Sequence, residues 1–183
     1  MCNRHPRVLD RRSLLRLAGG LGAAALLGAC GRSQDTVELA RPAEIDRNTV
    51  CALDGMLLAD YPGPKAQIHY AGSTGPEFHC DLAEMFHLWL NPESVRQVRA
   101  MYVQDMGAAD WDAPEGHWIE ARSAWYVYGS SRHGAMGPAI ASFASEAGAR
   151  KFAGEFGGTV SRFDGIKADQ VILNGGALHD RSM

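Results

Sequence analysis

Twice along the chain the hydropathy pattern runs strand, strand, helix, strand, and this repetition restricts the fold to two small α+β units of one layout. In the first, residues 66–70 and 77–80 read as short strands separated by a turn-rich stretch with two Gly, Ser, Thr and Pro. Residues 81–90 read as a helix, because Leu82, Met85, Phe86, Trp89 and Leu90 recur on one helical face. Asp81 can cap it, Glu84 stands three residues on, and Asn91-Pro92 stops it. A third strand follows at 100–103. In the second unit, 124–128 and 139–143 are strands. Ser145 caps a helix with Ala149, Phe152, Ala153 and Phe156 on one stripe, Gly157-Gly158 ends it, and 159–163 returns as a strand. The expected organisation is a first ββαβ unit at 50–106, an acidic linker with Pro114 at 107–118, a second ββαβ unit at 119–166 and a loose tail at 167–183. A lone unit of ~50 residues has a marginal core, so the two are expected to pack together.

The first 49 residues read differently. Arg11 and Arg12 precede an apolar, small-residue run over residues 14–29 that contains Arg16 and is too short for a spanning helix, which needs ~20 residues. It reads as an export leader, residues 1–29. The paired arginines resemble a twin-arginine signal, with Asp10 where Ser or Thr is usual. Leu27-Gly28-Ala29-Cys30 resembles the lipobox of bacterial lipoproteins, in which Cys30 carries the lipid and begins the mature chain. Residues 30–49, polar and aperiodic, read as a lipidated tether.

Charge then excludes classes of partner. The formal net charge of −3 conceals five Arg and one Asp in the leader; the remainder holds 13 basic and 20 acidic residues, net −7. Such a body lacks the basic face that displaces counterions from nucleic acid, or that binds an anionic membrane surface.

With Cys2 in the leader and Cys30 lipidated, Cys51 and Cys80 remain for chemistry. Export leaves one disulfide between them as an open alternative, which would make the chain a structural or interaction lipoprotein. The stretch Cys51-Ala52-Leu53-Asp54-Gly55-Met56 puts a thiol, a carboxylate and a thioether on one glycine-containing turn. Thiolate and thioether are soft donors suited to Cu(I). Gly134-Ala135-Met136-Gly137-Pro138 sets a second thioether among residues with almost no side chain, in a loop between strands. Met106, just after a strand, and Met56 are weaker candidates for the same role. Asp54 is too hard a ligand for Cu(I) and is assigned to holding its loop or a partner's positive group. An ordinary thiol is mostly protonated at neutral pH, so copper affinity is expected to rise with pH.

Lipobox, Cys51–Met56 turn, Tyr61-Pro62-Gly63-Pro64-Lys65-Ala66-Gln67-Ile68, Tyr102-Val103-Gln104-Asp105-Met106-Gly107 with Trp111, and Gly134–Pro138 with Ala141-Ser142-Phe143 occur in an order that resembles the NosL family. These are copper-binding accessory lipoproteins of nitrous oxide reductase. The resemblance covers nearly all of the folded body. It implies two ββαβ units related to the organomercurial lyase MerB. It also implies a periplasmic, lipid-anchored Cu(I) chaperone rather than an enzyme, with Cys51 and Met136 as copper ligands. Its implied partners are an ATP-driven membrane transporter complex and the apo-protein of nitrous oxide reductase. The third ligand stays open among Met56, Met106, a histidine such as His79 or His133, and a group supplied by a partner. The MerB-like fold also leaves a thiol enzyme acting through Cys51 and Asp54 as a remote alternative, since fold likeness does not fix chemistry.

Overall fold

Alternation over five residues makes Ala66–Tyr70 (β1) the centre of the first sheet in the computed structural model, which describes residues 40–91, 96–171 and 173. Leader, Cys30, residues 31–39 and the tail from 174 lie outside the described residues. β1 pairs antiparallel with Glu77–His79 (β2) on one side and Val98–Gln104 (β3) on the other, and Trp118–Glu120 (β4) adds an outer strand on β3. The helix Leu82–Leu90 (α1) follows β2. The second sheet repeats the plan: Trp125–Tyr128 (β5) lies between Ala141–Phe143 (β8) and Thr159–Arg162 (β9), both antiparallel to it, with the helix Glu146–Phe156 (α2) after β8. A hairpin of His133–Gly134 (β6) and Gly137–Pro138 (β7) interrupts the second unit between β5 and β8. The protein is thus α+β with a ββαβ order in each half.

Local sequence explains both helices. Asp81 is extended (φ −146°, ψ 151°) and its carboxylate accepts from the Ala83 N–H. Glu84 departs from the capping-box expectation: its carboxylate accepts from the Cys80 N–H, one residue before the cap. Ser145 Oγ accepts from the Gly148 N–H at 3.1 Å, and Gly157 at φ 74° ends α2. Ser145→Ala is expected to lower stability by about 1 kcal/mol with little change elsewhere, read as a shift in the denaturant midpoint.

The main core joins the halves. Phe86 of α1, fully buried, stands with its ring 5.1 Å from that of Tyr126 in β5 and 5.2 Å from Phe163. Burial of such a ring contributes about 1.5–3 kcal/mol and each aromatic pairing about 0.5–1.5 more. A separate cluster joins Val127, Phe143, Ala149 and Phe152 under α2, with Met106 and Trp111 against it.

Residues expected as the end of a tether lie along the first sheet. Tyr102 Oη donates to the Ala40 carbonyl (2.6 Å), and the Gln67 amide makes two bonds to the Ala43 backbone (2.8 and 3.0 Å). In the stretch expected as a linker, Trp111 stacks on Phe152 and its Nε1 donates to the His133 carbonyl. Past residue 166 a short turn at Ala168–Gln170 leads to Val171, which packs on the main core. Among the described residues, no helix is long and apolar enough to cross a membrane.

Candidate metal centre

Cys51 opens a tight loop closed by a bridge between Val50 and Leu57 and by the Cys51 N–H donating to the Met56 carbonyl (2.8 Å). Gly55, at φ 78°, takes the left-handed conformation the loop needs and donates to the Cys51 carbonyl. Asp54 Oδ1 accepts from the Met56 N–H (3.0 Å), an Asx turn that holds the loop. The Ala52 N–H donates to the Phe78 carbonyl, which ties the loop to β2 and places Cys51 beside Cys80.

One ligand atom each of Cys51, Asp54, Cys80 and Glu84 lies within 4.8 Å of all the others. Cys51 Sγ is 3.0 Å from Glu84 Oε2; Cys80 Sγ is 3.4 Å from Glu84 Oε1 and 3.8 Å from Asp54 Oδ2. Both cysteines are buried and unbridged. His79 Nδ1 stands 3.6 Å from Glu84 Oε2, beyond hydrogen-bond distance, and among the described residues neither of its buried ring nitrogens has a hydrogen-bond partner.

The second half supplies the thioether. Met136 sits at the tip of the β6–β7 hairpin, where Gly134 pairs with Gly137, and is only 8% exposed. It packs in one apolar cluster with Cys51, Cys80, Leu58 and Ala135, against which Met56 also lies. Folding therefore brings Cys51 and Met136 into one cluster and adds Met56 at its edge. It takes Met106 elsewhere, into the cluster under α2, and leaves His133 exposed on β6.

Proton affinities in the cluster diverge. As a neutral thiol Cys51 would donate to Glu84; the Cys80 thiol, His79 and the backbone N–H of Leu53 (3.4 Å) favour its anion instead. The neighbouring Cys80 thiol is the largest influence, and it outweighs burial and the Glu84 carboxylate to hold Cys51 at about 4. That corrects the expectation of an ordinary thiol. Cys80 moves the opposite way: beside the Cys51 sulfur, buried, and facing Glu84, it retains its proton far above the usual thiol range. Burial lowers the His79 pKa, but Cys51 and Glu84 outweigh it, and the net shift is upward. Burial raises Asp54. Lys65, wholly buried, is lowered by burial to about 8 against the pull of Asp81, Cys80 and Glu84, and its Nζ donates to the carbonyls of Tyr61, Pro62 and Gly63.

Sequence reasoning treated Cys80 as a disulfide partner or strand end, and Glu84 as a helix-cap partner. A carboxylate in the first turn of an otherwise apolar helix was the available signal for Glu84, since such a group is buried only when it has donors to accept from. The arrangement offers a soft set, Cys51, Cys80, Met136 and Met56, beside a harder one, Asp54, Glu84 and His79.

Known proteins resemble this chain over most of its length. The NosL family model matches residues 42–171. The copper-binding lipoprotein NosL of Stutzerimonas stutzeri is 38% identical over 181 residues, covering 93% of each chain. The protein of the same name from Achromobacter cycloclastes is 38% identical over 166 residues, covering 88% of this chain and 84% of its own. The crystal structure of the copper chaperone NosL from Shewanella denitrificans superposes with a TM-score of 0.67 at 40% identity, covering 72% of this chain and 98% of that one.

Proposed function

This chain belongs to the NosL family, and from that premise we propose that it is a lipid-anchored periplasmic Cu(I) chaperone, not an enzyme. It delivers copper for assembly of the copper-sulfide centre of nitrous oxide reductase. Its copper comes through an ATP-driven membrane transporter complex, and the apo-reductase lies downstream. Cys30 carries the anchor. The reading rests above all on the thiolate-favouring Cys51 and the Met136 thioether meeting in one buried cluster although they come from different halves of the chain.

The chemistry follows from the donors. Cu(I) against the Cys51 thiolate forms a neutral pair, which an apolar cluster tolerates far better than a lone charge. Met136 adds a second soft donor without adding charge. Glu84 holds the Cys80 thiol and backbone in place, and Asp54 holds the loop, both being too hard to compete for Cu(I). Two sulfur ligands leave a coordination position through which an acceptor can take the ion by stepwise exchange.

Titration of the reduced protein with Cu(I) against a competing chelator tests the reading. Met136→Leu, close in volume, is expected to keep the unfolding midpoint within a few degrees while weakening Cu(I) retention roughly thirtyfold, about 2 kcal/mol. Equal loss of stability and copper would show that Met136 only packs. The alternative of a disulfide-built lipoprotein draws on the closeness of the Cys51 and Cys80 sulfurs; it requires that neither thiol titrate in protein isolated without reductant.

A further inference from the structure

One buried carboxylate of the first half lies directly against the hairpin that carries Met136. Asp81, 2% exposed, follows Cys80 directly and caps α1 by accepting from the Ala83 N–H at 2.8 Å. The backbone N–H of Met136 stands near enough to favour the charged form of the same carboxylate. Its Oδ2 lies so close to Gly134 that a Cβ there would stand 2.7 Å from it and 3.2 Å from the Ala139 Cβ. Beneath, the Tyr61–Gly63 loop is gathered round the Lys65 ammonium, and a Cβ at Gly63 would stand 3.1 Å from the Gly134 Cα. Glycine at both positions is what lets the hairpin come this near.

We infer that Asp81 is a positioning residue for copper binding: one carboxylate fixes the start of the helix beside Cys80 and, through the Met136 backbone, the distance of the thioether from the cysteines. This rests on the copper reading above. A capping role alone would need only one carboxylate oxygen and a neighbour of any size at position 134. The close approach of Gly134, and with it of the Met136 backbone, to the second carboxylate oxygen serves no cap.

The two roles separate in Asp81→Asn. Asparagine caps helices about as well as aspartate, so α1 keeps its Ala83 bond. Its amide N–H₂ replaces the charged oxygen that faces Gly134 and the Met136 backbone with a neutral donor. The full-length reduced protein carrying Asp81→Asn is expected to hold Cu(I) roughly tenfold more weakly than wild type at nearly the same unfolding temperature. The methyl resonance of ¹³C-labelled Met136 should respond to added Cu(I) less than in wild type. Combined with Met136→Leu, Asp81→Asn should cost nothing further, because residues acting through one donor are not additive. Gly134→Ala, which keeps the Asp81 side chain and forces the hairpin away from it, is expected to reproduce the copper defect and serves if Asp81→Asn fails to fold.

Wild-type copper affinity in both Asp81→Asn and Gly134→Ala, or a double variant whose losses add, would overturn the positioning role and leave the copper reading standing. A Met136→Leu protein that binds Cu(I) as tightly as wild type would remove both together.

Discussion

Cys51→Ala is expected to abolish tight Cu(I) binding, with affinity against a competing chelator falling roughly 10³-fold, about 4 kcal/mol, near neutral pH. The size of the effect comes from the division of protons in the cluster. Cys51 is the sulfur that ionises readily, held at about 4 by the Cys80 thiol, by His79 and by backbone donors. Cys80 is no ready substitute: burial and the Glu84 and Asp54 carboxylates still oppose its ionisation after Cys51 is gone. What remains is a thioether, and a neutral thioether cannot offset the ion's charge in an apolar surround. Cys51→Ser should do little better, since a hydroxyl stays protonated and is a harder ligand. Unfolding should remain cooperative, because the loop is held by the Val50–Leu57 bridge, the Cys51 N–H and the Asp54 turn, none of which uses the thiol. Undiminished binding in Cys51→Ala would sink the assignment of this cluster as the copper site.

What the sequence disclosed, and what it hid, separates by the range of the interactions. β1, α1 and the cap residues Asp81 and Ser145 were legible because alternation, helical spacing and capping are local. β4 and the β6–β7 hairpin have two or three residues per strand, too few to show a period, and exist because neighbouring strands pair with them. The docking of residues 40–44 depends on Gln67, Tyr102 and Trp118 side chains met only after folding. At the candidate site, Cys51 and Met136 stood out because a thiol on a turn and a thioether among glycines lack the apolar sequence neighbours of an ordinary core position, although folding packs both in one cluster. Met106 had a similar local setting and lies in another cluster, against Phe143 and Phe152, because the chain after β3 runs beneath α2. Glu84 looked like a cap partner since its spacing from Asp81 suits one; its burial between two thiols is a tertiary fact that no spacing records.

The effect of Cys80→Ala should depend on pH, and the direction of that dependence identifies what Cys80 does. In the intact protein the Cys51 thiolate is already formed above pH ~5, so Cu(I) displaces no proton from the thiol there and affinity should change far less with pH from about pH 5 to 8 than in a variant whose thiol is protonated. Removing Cys80 takes away the largest influence holding the Cys51 pKa down from its ordinary 9.0. The pKa then rises, and below it each unit of falling pH costs tenfold in affinity because a proton must be displaced. Cys80→Ala should therefore bind roughly 100-fold more weakly than wild type at pH 6, with His79 and the backbone donors still supporting the anion, and converge on wild type toward pH 9. A thiolate ligand at position 80 would give the opposite slope: its contribution grows as pH rises and the thiol ionises, so its loss would be most costly at high pH. Cu(I) competition titrations at pH 6, 7.5 and 9 on wild type and Cys80→Ala distinguish the two. Convergence at high pH marks Cys80 as the proton donor that keeps Cys51 ionised, and divergence would make it a ligand and dissolve the two-sulfur site.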